Sequence, residues 1–273
     1  GAQTGAPQNP SGAFAKIPLA FTENAGQANA EVKYLTSARG VTTALLADGF
    51  AVRYATLHDR KPAHGMDSSI FEPRLSDDAR VQGVTLRFRV DGASPAAATR
   101  GIGIRPGKSH FIFGRHGEAS HTDLATYSGA RLENVKPGVD VDLYEHNGTL
   151  KYDVVVSPGT PADSAQFTCE GADRLELAID GALIAHTAEG TIRQPKPYTF
   201  EEDSSGARRV VDASFKIVGT NKFSFSAPSR NPACRLTIDP SLIYATFLPG
   251  SGNDSGLDCA ADSAGSCYVV GWT

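Results

Sequence analysis

The sequence has few cysteines, and none of them stands in a redox or zinc motif. Its four cysteines are Cys169, Cys234, Cys259 and Cys267. No two of them have C-x-x-C spacing, which argues against a zinc ribbon and against a thioredoxin-like redox site.

Long apolar runs and a strong net charge are also missing. No apolar run approaches the roughly 18 to 20 residues that a membrane-spanning helix needs. The 26 Lys and Arg residues nearly balance the 30 Asp and Glu residues, which leaves a formal net charge of −4. So weak a field argues against a nucleic-acid partner and against an anionic membrane surface. The hydrophobic fraction of 40% still suffices for a packed core in 273 residues.

No segment has the periodicity of an amphipathic helix, whereas apolar residues alternate with polar ones in several places. Between positions 81 and 90, Val84, Leu86, Phe88 and Val90 occupy alternate positions, which is typical of a half-buried strand. Gly-containing turn sequences separate such segments at 48–49, 147–148, 180–181, 189–190 and 204–206. We therefore predict an all-β fold, an antiparallel β-sandwich or meander with little helix.

Composition also predicts how the chain is organised. Residues 1–13 are rich in Gly, Pro, Ala and polar residues without periodicity, which is typical of a disordered leader. Residues 14–246 carry the strand patterns. The polar segment 56–78 is predicted to be a long surface loop. A second irregular segment at 114–128 leaves open a division into two packed β subdomains near residue 115.

Five ordered motifs run through residues 21–240 and resemble a family of bacterial domains. They are Phe-Thr-Glu-Asn-Ala-Gly-Gln at 21–27, Lys-Ser-His-Phe-Ile-Phe-Gly at 108–114, Val-Lys-Pro-Gly-Val-Asp-Val at 135–141, Leu-Lys-Tyr-Asp-Val-Val-Val-Ser-Pro-Gly at 150–159 and Leu-Thr-Ile-Asp-Pro at 236–240. Together they resemble the β-rich domain that precedes SBBP-type (seven-bladed β-propeller) repeats in bacterial surface proteins. The resemblance implies that residues 14–246 form such a domain in an exported protein, and it transfers no activity.

The last segment, 247–273, resembles the start of an SBBP-type repeat. The positions that carry this likeness are Asp262, Gly265, Tyr268, Val269, Gly271 and Thr273. We therefore expect 247–273 to be a truncated first propeller repeat and the chain to be the front part of a longer protein. The resemblance implies that the downstream repeats are partners of the domain.

An even number of cysteines in an exported chain favours disulfides. Cys259 and Cys267 flank the turn at 262–266, so a bond between adjacent hairpin strands is sterically reasonable if their Cα atoms lie within about 7 Å. Cys169 and Cys234 then pair with each other. The alternative is four buried free thiols in a reducing compartment.

Two clusters of polar residues raise the question of chemistry. His110, His116 and His121 lie near Asp123, and three imidazoles can hold zinc. Their spacing fits no zinc motif, so solvated or hydrogen-bonded histidines are the favoured interpretation.

The second cluster contains Asp140, Asp142 and Asp153, which the hairpin around Asn147-Gly148 brings close together. Paired carboxylates serve glycoside hydrolysis, and carboxylate oxygens suit Ca²⁺. Asp140 and Asp142 alternate with apolar residues and are therefore expected to point outward. Three solvated carboxylates are the favoured interpretation.

Three further features have weaker functional signals. The segment 252–256 is similar to the Gly-Asp-Ser-Gly of serine proteases, but no partner motif accompanies it. Glu23 and Asn24 are expected to form a turn whose side chains satisfy backbone groups. Tyr54, Tyr127 and Tyr198 can stack on sugar rings if they are exposed.

These observations assign no catalytic residue, cofactor or metal ligand. We expect a non-enzymatic structural or interaction module, secreted or on the bacterial cell surface, that precedes or caps a β-propeller. Its further partner is a protein or a glycan, with neither a nucleic-acid role nor a membrane span. The alternative is a carbohydrate-binding module of an extracellular protein, and a hydrolase fragment is a third hypothesis.

Overall fold

The computed structural model of the chain describes the backbone of residues 20–38, 41–58, 80–111, 120–146, 149–188, 190–240, 243–244, 255–261 and 267–272. Side chains are described for 20–37, 41–54, 84–111, 120–146, 150–188 and 190–240. The predicted leader 1–13 and most of the predicted loop 56–78 lie outside these ranges.

The described residues form antiparallel strands and one short 3-10 helix. The strands before the helix are β1 (Phe21–Glu23), β2 (Val32–Ala38), β3 (Val41–Leu46), β4 (Gly49–His58), β5 (Arg80–Val90), β6 (Ala98–Phe111), β7 (His121–Lys136), β8 (Val139–His146) and β9 (Thr149–Val156). The helix spans Ala162–Ser164. The later strands are β10 (Phe167–Glu170), β11 (Arg174–Leu177), β12 (Leu183–Thr187), β13 (Gly190–Gln194), β14 (Tyr198–Glu202), β15 (Arg208–Val210), β16 (Ser214–Gly219), β17 (Lys222–Ser226), β18 (Arg235–Asp239), β19 (Ile243–Tyr244), β20 (Ser255–Ala261) and β21 (Cys267–Trp272). The predicted all-β antiparallel fold is confirmed.

Fifteen of these strands form one large sheet. Its order is β15-β14-β18-β9-β8-β7-β1-β2-β3-β4-β5-β10-β17-β16, and β6 pairs with β7 outside this path. The pairings of β1 with β7 and of β5 with β10 join residues from both sides of position 115. Strands from both sides of residue 115, where the sequence left open a division into two subdomains, therefore belong to one sheet.

Strand β7 joins several strands that follow it in the sequence (β8, β9, β18, β14 and β15) to β1 and the strands beyond β1 in the sheet order. It is 16 residues long, and it pairs with β8 from Gly129 onward and with β1 at Thr126 and Tyr127. β6 pairs with it from Ala98 to Phe111. Our prediction of irregular structure at 114–128 is wrong from His121 onward, because the alternation in β7 is masked by Gly, Ser and Thr.

The core lies between strands that are far apart in the sheet order. The Tyr152 ring on β9 lies 4.8 Å from Phe50 on β4 and 6.4 Å from Phe167 on β10. Phe167 in turn stacks on Phe223 of β17 at 5.4 Å. Because β9 faces β4 and β10 without pairing with them, the large sheet folds over on itself and buries this aromatic cluster between its two layers.

Two smaller sheets complete the described structure. β11, β12, β13 and β19 form a four-stranded sheet, and its Leu175, Leu183, Ala185 and Ile192 join the core. β20 and β21 pair only with each other among the described strands. The segment 252–256, considered above for a protease motif, lies mostly outside the described residues.

The local patterns in the sequence are reflected in strand faces and turns. Leu86, Phe88 and Val90 are buried in β5, as the alternation predicts. Gly49 must have no side chain, because a Cβ there would lie 2.0 Å from the Phe88 carbonyl oxygen. Gly181 adopts a positive φ of 82° in the turn between β11 and β12. Residues 147–148 are not described, but the strands that they join pair at His146 and Thr149.

The predicted disulfide between Cys169 and Cys234 is not supported. Both residues are free, buried thiols. Cys169 lies within β10, directly opposite Phe88, and Cys234 precedes β18 in a turn where its backbone N–H donates to Asn231. Each thiol therefore fills space in a different place instead of linking two elements.

The predicted bond between Cys259 and Cys267 stays a prediction, because both side chains lie outside the described residues. The backbone register pairs Cys259 with Val269 and Cys267 with Ala261. The two cysteines are thus diagonal neighbours in this hairpin, which places their Cα atoms at roughly 7 to 8 Å by ordinary strand geometry.

Candidate functional site

A row of charged side chains crosses four adjacent strands on the outer face of the large sheet. Arg131 on β7 lies opposite Asp142 on β8, and Asp142 lies opposite Asp153 on β9. Ile238 pairs with Val154, which places Asp239 of β18 beside Asp153. We call Arg131, Asp142, Asp153 and Asp239 the carboxylate row. The opposite face of β9 carries Tyr152 and Val154, which belong to the core.

Asp142 is held by Arg131. Two nitrogens of the guanidinium donate to the two carboxylate oxygens of Asp142, each at 2.5 Å. The arrangement is the bidentate pairing that planar guanidinium and carboxylate groups favour. Only 12% of the Asp142 side chain is exposed. We predicted a solvated carboxylate, but Asp142 is a mostly buried group that is paired with Arg131.

Asp239 is held in the same way by a lysine from the neighbouring strand. Lys151 Nζ donates to both carboxylate oxygens of Asp239, at 3.0 and 2.9 Å. Both side chains are mostly buried. The pair joins β9 to β18 on the outer face of the sheet.

Asp153 lies between these two ion pairs and has no cation to itself among the described contacts. It accepts a hydrogen bond of 2.9 Å from the Tyr144 hydroxyl. Burial raises the pKa of Asp153 to about 7, the Tyr144 hydrogen bond opposes this rise, and the negative charges of Asp239 and Asp142 add to it. Burial raises the pKa of Tyr144, and the charges of Asp153, Asp239 and Asp142 raise it further. The arrangement thus contains a carboxyl that can bind a proton in the neutral range.

Asp140 does not join the row. Its Oδ1 accepts a hydrogen bond of 2.7 Å from the backbone N–H of Asn134, and Asn134 has a positive φ of 49°. The Asn134 side chain accepts from the N–H of Gly138. Asp140 therefore stabilises the bulged turn between β7 and β8.

An exposed apolar patch follows the carboxylate row on the same face. Tyr198 on β14 lies opposite Asp239, and Phe200 lies opposite Val210 on β15. Tyr198 and Val210 are 56% and 62% exposed. The rings of Tyr198 and Phe200 lie 6.1 Å apart. We call Tyr198, Phe200 and Val210 the aromatic patch.

Paired charges surround the aromatic patch. Arg208 lies over the Phe200 ring at 4.7 Å and also donates to Glu202 at 2.8 Å. Arg235 donates to the other oxygen of Glu202 at 2.6 Å. A surface whose charges are matched internally and whose apolar side chains are exposed suits contact with another surface.

The sequence matches a known family over most of its length. The family model described as "Domain of unknown function (DUF7948)" matches residues 21–241. The chain belongs to this family. No curated protein and no solved structure matches it. The matched span contains the residues of the carboxylate row and of the aromatic patch.

The histidines that we considered for a zinc site have other partners where the structure describes them. Nδ1 of His110 accepts a hydrogen bond of 3.2 Å from the backbone N–H of Asp123. The His121 ring lies instead against Gly26, where an added Cβ would be 3.0 Å from its Cε1. His116 lies outside the described residues. Within the described ranges, no group of three or more His, Cys, Asp or Glu side chains is placed to hold a metal.

The turn predicted at Glu23 and Asn24 is present. The Asn24 amide donates to the carbonyls of Ala28, Asn29 and Val32. Its Oδ1 accepts from the N–H groups of Gly26 and Ala28. The Asn24 side chain thus replaces backbone partners through the whole loop between β1 and β2.

Only one of the three tyrosines that we considered for stacking is available on the surface. Tyr54 is buried, with 5% exposure. Tyr127 packs edge-to-face on Tyr34 at 5.8 Å. Tyr198 is exposed as part of the aromatic patch.

The sequence indicated Asp142 and Asp153 as neighbours but not the groups that hold the row together. Arg131 and Tyr144 lie outside the motifs named above, and the motif at 150–159 gives Lys151 no predicted partner. Asp239 is 88 positions from Lys151, and only the strand order brings the two together.

In the part of the chain that the structure describes, no helix is long and apolar enough to cross a membrane.

Proposed function

We propose that this domain is a non-enzymatic module of an exported bacterial surface protein, and that it caps or holds the β-propeller repeats that follow it. The observation that carries the proposal is the aromatic patch, which exposes Tyr198 and Val210 beside charges that are already paired. Burial of such apolar side chains against another surface is favourable. The resemblance of residues 247–273 to a propeller repeat supplies the partner.

The path of the chain supports contact between the patch and the downstream segment. β18 ends at Asp239, directly opposite Tyr198, so the chain leaves the large sheet next to the patch. A tethered segment has a high effective concentration at a surface within its reach. The repeats follow β19, which pairs with β13 a few residues beyond Asp239, and the chain keeps them within reach of the patch.

The paired carboxylates support a non-enzymatic role. Asp142 and Asp239 each spend both oxygens on a cation of the same sheet. A general acid and a general base must instead be free to reach a substrate. The row therefore stabilises the sheet on which the patch stands.

Photo-crosslinking in the 273-residue chain, which includes the repeat-like segment 247–273, tests this function. A p-benzoylphenylalanine placed at Tyr198 should form crosslinks to residues beyond 246, detected by peptide mass spectrometry. The same group placed at Ile179, an exposed residue in the turn between β11 and β12, is the matched control and should give none. The proposal fails if Tyr198 gives no such crosslinks or if both positions give the same ones.

One observation favours the carbohydrate-binding alternative. Tyr198 is 56% exposed, and a sugar ring can stack on an exposed aromatic ring. A glycan array with the 273-residue chain distinguishes the two functions. Binding that is lost in Tyr198→Ala would assign the patch to a glycan.

A further inference from the structure

Asp153 is enclosed by charged and titratable groups from several strands. These groups are Asp142 and Tyr144 on β8, Lys151 on β9 itself, Asp239 on β18 and, beyond Asp142, Arg131 on β7. They include two cations and, with Asp153, three carboxyl groups. The cluster is therefore neutral when Asp153 carries a proton and has a net charge of −1 when it does not.

Both cations donate to other carboxylates, and the charge of Lys151 offsets only part of the rise in the pKa of Asp153 that burial and the neighbouring carboxylates cause. Arg131 donates to both oxygens of Asp142, and Lys151 donates to both oxygens of Asp239. Asp142 lies directly opposite Asp153 in the ladder, and like charges at directly opposed positions are destabilising. An ionised Asp153 thus faces one carboxylate across β8 and another on β18, with the Tyr144 hydroxyl as its donor.

We propose that Asp153 is a proton switch in the large sheet, which holds its proton in mildly acidic solution and releases it as the solution becomes alkaline. The protonated form gives a neutral row that joins β7, β8, β9 and β18. The ionised form places an unmatched charge among mostly buried groups, which weakens the contacts between these strands.

The sign of the effect on stability follows from the direction of the pKa change. The pKa of Asp153 lies at about 7 in the folded chain, against an ordinary value of 3.8. Between these two values the unfolded chain has released the proton and the folded chain has kept it. Stability is therefore greatest at low pH for this group, falls as the pH rises toward 7, and stays at the lower level above that.

Thermal unfolding of the 273-residue chain between about pH 5 and pH 8 tests the switch. We expect the melting temperature of Asp153→Asn to fall less across this range than that of the unchanged chain. Asn resembles the protonated carboxyl in shape and still accepts from Tyr144. Asp163→Asn, at an exposed position in the 3-10 helix, is the matched control and should keep the pH dependence of the unchanged chain. Equal pH dependence in all three proteins would overturn the proposal.

Carbon-13 NMR of the Asp carboxyl groups gives a readout that does not depend on stability. We expect one Asp resonance with a midpoint at about 7 that is absent in Asp153→Asn. In Tyr144→Phe the midpoint should move to higher pH, because the lost hydrogen bond favours the ionised form. If every Asp in the unchanged chain titrates below about pH 5, as unperturbed carboxyl groups do, the switch does not exist.

Discussion

The hydroxyl of Tyr152 on β9 donates a hydrogen bond of 2.7 Å to Oε1 of Gln194 on β13. The bond joins the large sheet to the four-stranded sheet, and both side chains are almost fully buried. A buried polar group is costly when it loses its partner. The packing of the two sheets against each other therefore includes a buried polar contact that must stay paired.

The first prediction concerns this bond. Tyr152→Phe keeps the ring but leaves Oε1 of Gln194 without its donor, which should lower the free energy of unfolding by about 1 to 3 kcal/mol. Urea denaturation measures the change. Tyr198→Phe removes a hydroxyl from an exposed ring and should change stability by less than about 0.5 kcal/mol. Equal losses in the two variants would show that the buried hydrogen bond contributes no more to the free energy of unfolding than an exposed hydroxyl does.

The second prediction concerns the aromatic core. Phe223 and Phe167 are fully buried and stacked. Phe223→Ala removes a large ring and leaves a cavity, so we expect a loss of about 3 to 5 kcal/mol in the free energy of unfolding. Ile179→Ala, at a fully exposed position, should be close to neutral in the same urea titration. A loss below about 1 kcal/mol for Phe223→Ala would mean that the two layers close over the space.

The sequence predicted the faces of the strands better than the partners across them. Leu86, Phe88 and Val90 could be assigned to the core because side-chain direction in a strand depends only on local alternation. The opposition of Asp142 and Asp153 was also predictable, since a short hairpin fixes the register between neighbouring strands. Their burial was not, because Lys151 and Asp239 meet through a pairing of distant strands, β9 with β18.

The third prediction concerns the ion pair between Arg131 and Asp142. Arg131→Met leaves Asp142 mostly buried without its cation, and breaking such a pair costs about 3 to 5 kcal/mol when it is fully buried. Because 23% of the Arg131 side chain is exposed, solvent screening reduces the expected loss to about 2 to 3 kcal/mol. Arg174→Met breaks an exposed pair with Glu176, so its effect on stability should be far smaller. Similar losses in the two variants would contradict the assignment of Arg131 as the partner of a buried carboxylate.

The fourth prediction concerns the cysteines. Burial raises the pKa of the Cys169 thiol to about 12, so little reactive thiolate forms at neutral pH. Cys169 and Cys234 should resist alkylation in the folded chain and react once it is unfolded in urea without a reductant. Peptide mapping by mass spectrometry identifies the modified residues. A peptide pair linked through Cys169 and Cys234 would restore the disulfide that we predicted from the sequence.

The last prediction concerns residues 248–273. β20 and β21 pair with each other and share no ladder with the other described strands, and an isolated hairpin is marginally stable in water. Removal of 248–273 should therefore leave the domain folded, with its melting temperature within a few degrees of the original, and should abolish any self-association through exposed strand edges.

A second truncation is the control for this experiment. Ending the chain at residue 240 also removes β19, which pairs with Ile192 and Arg193 of β13. The shorter chain should melt at a lower temperature, because the edge of β13 loses its partner strand. Circular dichroism follows both melting curves, and light scattering after size-exclusion chromatography gives the oligomeric state. If loss of 248–273 alone unfolds the protein, the terminal hairpin is an integral part of the domain and the boundary near residue 246 is wrong.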